Sequence, residues 1–247
     1  MANRKVKSFV ALFDILGFSK LITSGELKRV LNTFVGIRAE LSTMKKHISA
    51  CLDTNVITSQ LFSDTFLLYS NGVSDKTFTA LLAMCDALFM STVKHGLSIR
   101  GSITVGDLMI SGRAVVGKPI VEAHLHEGLQ DWMGCLLTEK CISEISKKEF
   151  DECLNNCTIL EYEIPLKSGE VCKQHAFNWI KSIEWALRFK SRGKPVTREQ
   201  LIKATSFLDR NPSCWQARRI VSNTRQFREH AIVRTLQKAA LDAARGG

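Results

Sequence analysis

The sequence lacks several features that would place it in a special class of protein. No window approaches 18 consecutive apolar residues, the length that a helix needs to cross a membrane. The N-terminal segment MANRKVKSFVALF runs into a strand-like stretch without a small-residue cleavage site, so no signal peptide is indicated. No internal repeat or low-complexity tract is present. We therefore expect a cytoplasmic protein without membrane insertion.

Paired metal-binding or disulfide motifs are also missing. The eight cysteines lie at irregular spacing without a Cys-x-x-Cys pair, which indicates neither a disulfide framework nor a zinc site. Buried free thiols are the favoured interpretation. His124 and His126 form a His-x-His pair, but without a third ligand nearby we do not expect them to hold a metal.

Acidic residues are few relative to basic ones. The formal net charge is +10, and residues 201–247 hold nine lysines and arginines but only three acids. Such a surplus is compatible with a nucleic-acid footprint or with a solvated helical face. No recognised DNA- or RNA-binding motif accompanies the charge, so we favour the helical face and expect no stable nucleic-acid partner.

Hydrophobic periodicity predicts alternating strands and helices in the first half of the chain. Residues 7–13 have the pattern of a buried strand, and 25–48 carry apolar residues at helical spacing. Two β-rich runs at 55–62 and 65–70 are joined by a tight turn, which indicates a hairpin, and 75–95 form a second amphipathic helix. Further predicted elements are a strand and hairpin within 97–118, a helix at 118–130, strands at 134–138 and 157–164, and helices from about 181 to 244.

The order βαββαβ, followed by extra strands and a helical tail, predicts an α+β fold with a ferredoxin-like core. We expect one main domain over residues 1–180 and a C-terminal helical extension over residues 181–247. A chain of 247 residues, 45% of them hydrophobic, can bury such a core.

Two carboxylates stand at the ends of predicted strands. Asp14 ends the first strand, and Asp64 lies at the tip of the hairpin. If the first strand and the hairpin are neighbours, the pair can hold Mg²⁺ or Mn²⁺, whose remaining positions take phosphate oxygens and water. Gly17, at the turn after the first strand, would let backbone amides approach phosphates. A lone aspartate at such a position is otherwise more often a helix cap.

Three linked motifs resemble class III nucleotidyl cyclases. FDILGFSKL resembles the first metal-binding motif of that family, and LFSDTFLLYS resembles the hairpin that supplies the second metal ligand. LSIRGSITVGDLMISGRAVVGKPIVEAHLHE is similar to the family's Arg-x-Gly strand, hairpin and Ala-x-x-x-Glu helix. The motifs occur in the family's order and span roughly residues 7–130.

The resemblance implies a two-metal active site and a cyclisation reaction. Asp14 and Asp64 would bind two Mn²⁺ or Mg²⁺ ions, with the main-chain carbonyl of Ile15 as a further ligand. The ribose 3′-hydroxyl of a nucleoside triphosphate would attack its own α-phosphate and release pyrophosphate, and the protein would be a homodimer with its sites at the interface. The backbone that would hold the phosphates belongs to Leu16, Gly17 and Phe18.

The sequence departs from the family in the group that stabilises the transition state. The helix motif Asn-x-x-x-Arg of adenylate cyclases falls on Val121 and Leu125. Another cation would have to replace it, and Arg100 is the first candidate, ahead of Arg113 and Lys118, of which Lys118 is also a candidate phosphate ligand. The alternative for Arg100 is an ion pair within the sheet.

The residues that read adenine in the family are also absent. The lysine four residues before the second metal aspartate is Gln60 here, and the aspartate on the later hairpin corresponds to Ala114. A glutamine amide both donates and accepts hydrogen bonds, which suits the imide edge of uracil among other bases. A compact cyclase of this kind resembles the Pycsar pyrimidine cyclases of bacteria, which implies formation of cyclic UMP, or less readily cyclic CMP, as an antiviral signal for a separate effector.

Three alternatives remain open from the sequence. The protein could be an adenylate or guanylate cyclase with atypical base recognition. It could instead be an inactive cyclase fold that binds a nucleotide or a protein, although such a domain would not need both metal carboxylates. A nucleic-acid-binding protein with a basic tail is the weakest alternative, and salt-dependent retention on DNA or RNA would detect it.

Overall fold

The computed structural model describes residues 3–23, 25, 27–52, 56–209, 212 and 214–245. Glu26, Asn55, Arg210 and Ser213, which fall within segments predicted as helix or strand, lie outside the described residues. The chain divides into two compact units: the first comprises Met1–Leu129 and Cys135–Ser146, and the second comprises Gln130–Gly134 and Lys147–Gly247.

The first unit is a mostly antiparallel sheet with helices. Its elements are β1 (Arg4–Ile15), α1 (Phe18–Thr23), α2 (Leu27–Leu52), β2 (Ile57–Phe62), β3 (Thr65–Ser70), α3 (Asp75–Lys94), β4 (Ile99–Ser111), β5 (Ala114–Val116), α4 (Lys118–Leu129), β6 (Gly134–Leu137) and α5 (Glu139–Ile142). The strand order is β2-β3-β1-β4-β6, and β5 pairs with β4. This arrangement confirms the predicted α+β fold and the order of its strands and helices up to residue 137.

Strand β1 is the centre of this sheet. It pairs antiparallel with β3 on one side and with β4 on the other. Residues 9–13 are all buried, as expected for an uninterrupted apolar run in a strand that is covered on both faces. The buried run ends at Asp14, whose burial is intermediate, so the strand delivers a carboxylate to the edge of the core.

Helix α3 begins at a capping box in which Ser74 accepts a hydrogen bond from the amide of Thr77, and the Thr77 side chain accepts one from the amide of Ser74. By length and composition it is the one helix among the described residues that could cross a membrane. Its most apolar window is 61% buried within the protein, and helices that form a core pass the same test.

The second unit combines a hairpin with helices. Its elements are α6 (Lys147–Asn155), β7 (Ile159–Pro165), β8 (Val171–Phe177), α7 (Trp179–Lys190), α8 (Arg198–Ala204), a 3₁₀ turn (Ser206–Asp209) and α9 (Trp215–Arg245). Its core contains an aromatic cluster in which the Trp132 ring lies 5.4 Å from that of Tyr162 and 4.7 Å from that of Phe227. Asp131 is buried and bonded to Arg219 and Asn223 of α9.

The boundary between the units differs from the predicted domain boundary at residue 180. Residues 147–180 group with the C-terminal helices, so the second unit contains β7 and β8 as well as helices. The sequence analysis missed β8, whose sequence VCKQHAF alternates weakly, and the short helices α1, α5 and α6. The elements described within residues 181–247 are all helical, as predicted, and the assignment of catalysis to residues 1–180 stays a prediction.

All eight cysteines are described, and none forms a disulfide. Five of them are buried, namely Cys85, Cys135, Cys141, Cys153 and Cys157. Burial raises the pKa of these thiols, with the largest effect in the core of the first unit. All eight cysteines are free thiols in the structure, and the prediction of buried thiols is correct for these five.

Gly101 provides a test of the packing between β1 and β4. A Cβ at this position would overlap the ring of Phe13 and the carbonyl oxygen of Leu12, and the carbonyl cannot move without disturbing the sheet. We expect Gly101→Ala to lower the free energy of unfolding by about 1–3 kcal/mol. Gly128→Ala in α4 is the control, since no atom lies within 4 Å of its Cβ position, and it should stabilise the helix by up to about 1 kcal/mol. Urea denaturation measures both, and equal stability of the two variants would contradict the packing argument.

Candidate active site

The register of the sheet brings the two predicted metal aspartates to one place. Asp14 is paired across the sheet with Thr65 of β3 and with Arg100 of β4. Asp64 immediately precedes Thr65, in the turn between β2 and β3, and its carbonyl accepts a hydrogen bond of 3.1 Å from the amide of Ile15. Antiparallel pairing therefore sets the end of β1 beside the tip of the hairpin, as the sequence analysis required.

Asp14 lies in an electrostatic environment that opposes its ionisation. Partial burial, reinforced by the negative charges of Asp64 and Glu127, raises the pKa of Asp14 from 3.8 to about 6. The positive charge of Arg100, and that of His124 when its ring is protonated, act in the opposite direction and are outweighed. A concentration of carboxylates at the end of a strand is the kind of site that a cation would stabilise.

The donor atoms at this place fit a hard divalent cation. Two carboxylates and the main-chain carbonyl of Ile15 are oxygen donors, which Mg²⁺ and Mn²⁺ prefer. No group of three or more histidine, cysteine or acidic side chains that could hold a metal occurs in the part of the chain that the structure describes. Mg²⁺ usually binds through one or two carboxylates plus substrate phosphates, so two aspartates fit that mode of binding. The assignment of Asp14, Ile15 and Asp64 as metal ligands stays a prediction.

The turn after β1 is held in a fixed conformation. Gly17 has a φ angle of 77°, in the left-handed region that favours glycine. Its carbonyl accepts hydrogen bonds from the amides of Lys20 and Leu21 at the start of α1. The ring of Phe18 stacks on that of Phe34 in α2, with 5.8 Å between centroids. These contacts explain the residue types in Leu16-Gly17-Phe18, while phosphate binding by this backbone stays a prediction.

A cavity of about 360 Å³ lies directly against this turn. Its lining comes from two segments, the turn with the start of α1 and the loop before β4. The residues are Leu16, Gly17, Lys20, Leu21, Gly96, Leu97 and Ser98.

Gln60 lies in a second and larger cavity. That cavity has a volume of about 650 Å³, and Gln60 lines it together with Arg38, Phe62 and Arg113. The amide nitrogen of Gln60 donates a hydrogen bond of 3.1 Å to the carbonyl of Arg113. Among the described residues that line this cavity, neither metal aspartate occurs. The role of Gln60 in base recognition stays a prediction.

Lys118 does not lie with the two aspartates. It follows Gly117, which packs against Asp107 and Leu108 of β4. Leu108 is paired with Val6, which is eight residues from Asp14 along β1, or about 26 Å at roughly 3.3 Å per residue. Lys118 therefore begins its helix near the other end of β1, and the prediction that it binds phosphate stays a prediction.

Arg100 is bound to a buried carboxylate. Its Nε and Nη2 donate to Oε1 of Glu127 at 2.6 and 2.5 Å, and both side chains are buried. The ion pair that the sequence analysis gave as the alternative for Arg100 is therefore present. Glu127 offsets much of the positive charge of Arg100, and a direct catalytic role for this arginine stays a prediction.

Sequence reasoning assigned no role to Glu127 and His124. Both belong to α4, and the Nδ1 atom of His124 lies 4.0 Å from Oε2 of Glu127. The signal for Glu127 was the Ala-x-x-x-Glu motif, which was recognised but not connected with Arg100. Val121 and Leu125, at the positions of the family's asparagine and arginine, are 59% and 61% exposed and carry no polar group.

No family model matches this chain, and no curated protein matches it either. Solved structures do match. The adenylyl cyclase CyaB from P. aeruginosa has a TM-score of 0.50 at 16% identity, with 72% of this chain and 96% of that chain covered. The fold is that of nucleotide cyclase catalytic domains.

Two guanylyl cyclase structures support the same assignment of the cyclase fold. A monomeric double mutant of the guanylyl cyclase domain of the RhoGC fusion protein from the aquatic fungus Blastocladiella emersonii gives a TM-score of 0.53 at 12% identity, covering 72% of this chain and 98% of that one. The catalytic core of a rhodopsin-guanylyl cyclase with converted specificity, in complex with ATPαS, has a TM-score of 0.52 at 13% identity. The match covers 72% of this chain and 97% of that chain. At these identities the likeness establishes the class III cyclase fold that the motifs predicted.

The raised pKa of Asp14 predicts a cost in stability. A carboxyl whose pKa is about 6 in the folded protein and 3.8 otherwise stabilises the fold below about pH 3.8, and this contribution is lost as the pH rises through 6. Asp14→Asn should therefore raise the melting temperature at pH 8 without divalent metal, by roughly 2–4 °C per kcal/mol of relieved repulsion, and should have little effect at pH 3.5. Differential scanning fluorimetry across this range measures the effect.

Asp107→Asn is the matched control for this prediction. Asp107 is also a strand aspartate, but it is exposed and paired with Lys5. Its replacement should change the melting temperature little at either pH. An Asp14→Asn protein that melts at or below the wild-type temperature at pH 8 would contradict the electrostatic description of the site.

Proposed function

We propose that this protein is a nucleotide cyclase that converts UTP, or less readily CTP, to the 3′,5′-cyclic nucleotide and pyrophosphate. The observation that carries the proposal is the meeting of Asp14 and Asp64 at one end of β1 within a cyclase fold. An inactive cyclase fold would not need Asp14 and Asp64 together, where burial and the charge of Asp64 raise the pKa of Asp14. The ionised carboxylate of Asp14 lowers the stability of the fold, and such a cost is typical of residues that are kept for binding or catalysis.

The residues of the site have distinct roles in this proposal. Asp14, Asp64 and the carbonyl of Ile15 hold two Mg²⁺ or Mn²⁺ ions. Such ions, when bound, neutralise phosphate charge and assist the attacking hydroxyl and the leaving group. The turn of Leu16, Gly17 and Phe18, fixed by stacking on Phe34, contributes backbone amides to the phosphates, next to the cavity of about 360 Å³.

The preference for a pyrimidine rests on Gln60. In this chain glutamine replaces the lysine that reads adenine in the resembling family, and its side chain lies in a cavity of about 650 Å³. Its Nε2 is bonded to the Arg113 carbonyl, which directs the amide oxygen away from that partner. Ala114 provides no carboxylate at the other adenine-reading position.

We further propose that two copies of the chain form a homodimer and that the cyclic nucleotide activates a separate effector in antiviral defence. The resemblance to Pycsar cyclases supports this setting, since the chain carries the cyclase motifs without the adenine-reading lysine and aspartate. Lys118, distant from the aspartates of its own chain, could reach a site only in such an assembly.

A purine cyclase is the second candidate. The solved structures that resemble this chain are described as adenylyl and guanylyl cyclases, and one of them binds ATPαS. Cyclic AMP or cyclic GMP as the product would mean that a different set of residues reads the base here.

The first test is incubation of the full-length protein with Mn²⁺ and each of ATP, GTP, CTP and UTP, with chromatography against cyclic nucleotide standards. We expect cyclic UMP as the main product and none in EDTA. Asp64→Asn should lower turnover by about 100-fold or more, because metal stabilisation of the transition state is worth several kcal/mol. Asp107→Asn should keep wild-type turnover. Wild-type turnover in Asp64→Asn would exclude the two-metal mechanism.

Base recognition by Gln60 can be tested with Gln60→Leu. Loss of a hydrogen bond to the base should raise the KM for UTP by about tenfold and narrow the preference for UTP over the other nucleotides, with a smaller change in kcat. Thr58→Val is the control, since Thr58 lines the same cavity two residues away on the same strand. An unchanged KM and preference in Gln60→Leu would place the base elsewhere.

A further inference from the structure

Among the described residues to which the proposed function gives a role, none is available to accept the proton of the attacking hydroxyl. Val121 and Leu125 are apolar, and Arg100 is an obligate donor bound to Glu127. Asp14 and Asp64 are committed to metal ions in the proposed function. Two further titratable residues, Glu127 and His124 of α4, act electrostatically on Asp14.

Helix α4 is held in place against the end of β4 by two polar contacts. The hydroxyl of Ser102 donates a hydrogen bond of 2.8 Å to the carbonyl of Ala123. Four residues further along the helix, Glu127 binds Arg100, which is paired with Asp14 in the register of β1 and β4. The segment from 123 to 127 is thereby fixed beside the end of β1.

His124 lies within this fixed segment and close to Glu127, which together with Asp14 and Asp64 forms what we call the acidic centre. Its Nδ1 is 4.0 Å from Oε2 of Glu127, whose other oxygen, Oε1, is occupied by Arg100. A proton on His124 would act electrostatically on Asp14, in the direction that lowers the pKa of that carboxyl. The histidine side chain is 71% exposed, so a substrate can approach it.

The two ring nitrogens of His124 are in different surroundings. At 4.0 Å, Oε2 of Glu127 is beyond hydrogen-bond distance of Nδ1. Its negative charge still favours the tautomer in which Nδ1 carries the proton, and Nε2 then has a lone pair on the opposite side of the ring. A base oriented by a buried carboxylate is a recurrent arrangement for proton transfer. The carboxylate also stabilises the imidazolium that forms when Nε2 takes up a proton.

We propose that His124 is the general base of this protein, and that Glu127 and Arg100 are positioning residues that orient it. The inference rests on the proposed cyclase function. Nε2 accepts the proton of the ribose 3′-hydroxyl as the oxygen forms its bond to the α-phosphorus. The bond between the α-phosphorus and the bridging oxygen breaks, and that oxygen leaves with pyrophosphate. The resulting imidazolium places a positive charge beside the phosphates, where Val121 and Leu125 supply none.

The test compares His124→Ala and His124→Gln with the wild type and with His126→Ala, a histidine variant two residues away on the same helix. With UTP and Mg²⁺, both His124 variants should lose about 10²–10⁴-fold in kcat with little change in KM, because a general base contributes by that factor. Their melting temperatures should match the wild type, since the side chain is exposed. His126→Ala should retain wild-type kcat.

Rescue by free imidazole separates a proton acceptor from a structural residue. Because position 124 is open to solvent, imidazole in the buffer should restore part of the turnover of His124→Ala, and it should not raise that of Asp64→Asn. A His124→Ala protein with wild-type kcat, or with a loss that imidazole does not restore, would overturn the inference while leaving the cyclase function intact. A wild-type protein that cyclises none of the four nucleotides would instead overturn the proposed function, and this inference with it.

Discussion

The antiparallel pairing of β1 with both β3 and β4 is the constraint on which the site depends. One register pairs Asp14 with Thr65 and with Arg100. Asp14, Asp64, the buried Arg100 and the turn at Gly17 therefore all lie at one end of the strand. A shift of the register by one residue would turn Asp14 to the opposite face of the sheet. The close contact of Gly101 with Phe13 and Leu12 helps to maintain the observed register.

The buried pair of Arg100 and Glu127 extends this order to α4. Buried ion pairs contribute little net stability, but loss of one partner typically costs about 3–5 kcal/mol because the other charge remains buried. The pair therefore acts mainly to specify where the helix lies on the sheet. It also leaves the second oxygen of Glu127 facing His124, so that a structural contact and a proposed catalytic one share a single carboxylate.

The ionised form of Asp14 is unfavourable for the stability of the fold but is the form that the proposed function needs. Burial and two neighbouring carboxylates raise its pKa to about 6, at a position where a neutral residue would suit the fold better. Cys85, Cys135 and Cys141 show the opposite case: burial raises the pKa of these thiols without creating a site, because no positive charge that could activate a thiol acts on them. In this protein a raised pKa therefore indicates a functional site only where several charged residues lie close together.

The sequence by itself determined the order of strands and helices in the first unit and the positions of Asp14 and Asp64 at strand ends, because periodicity and turn residues act over short distances. It also allowed the cyclase fold to be predicted from three linked motifs. Only the tertiary structure decided that Arg100 binds Glu127, that Lys118 lies at the far end of β1, that His124 lies close to Glu127 of the acidic centre, and that residues 147–180 group with the C-terminal helices. Each of these depends on contacts between residues distant in the chain, which local patterns do not encode.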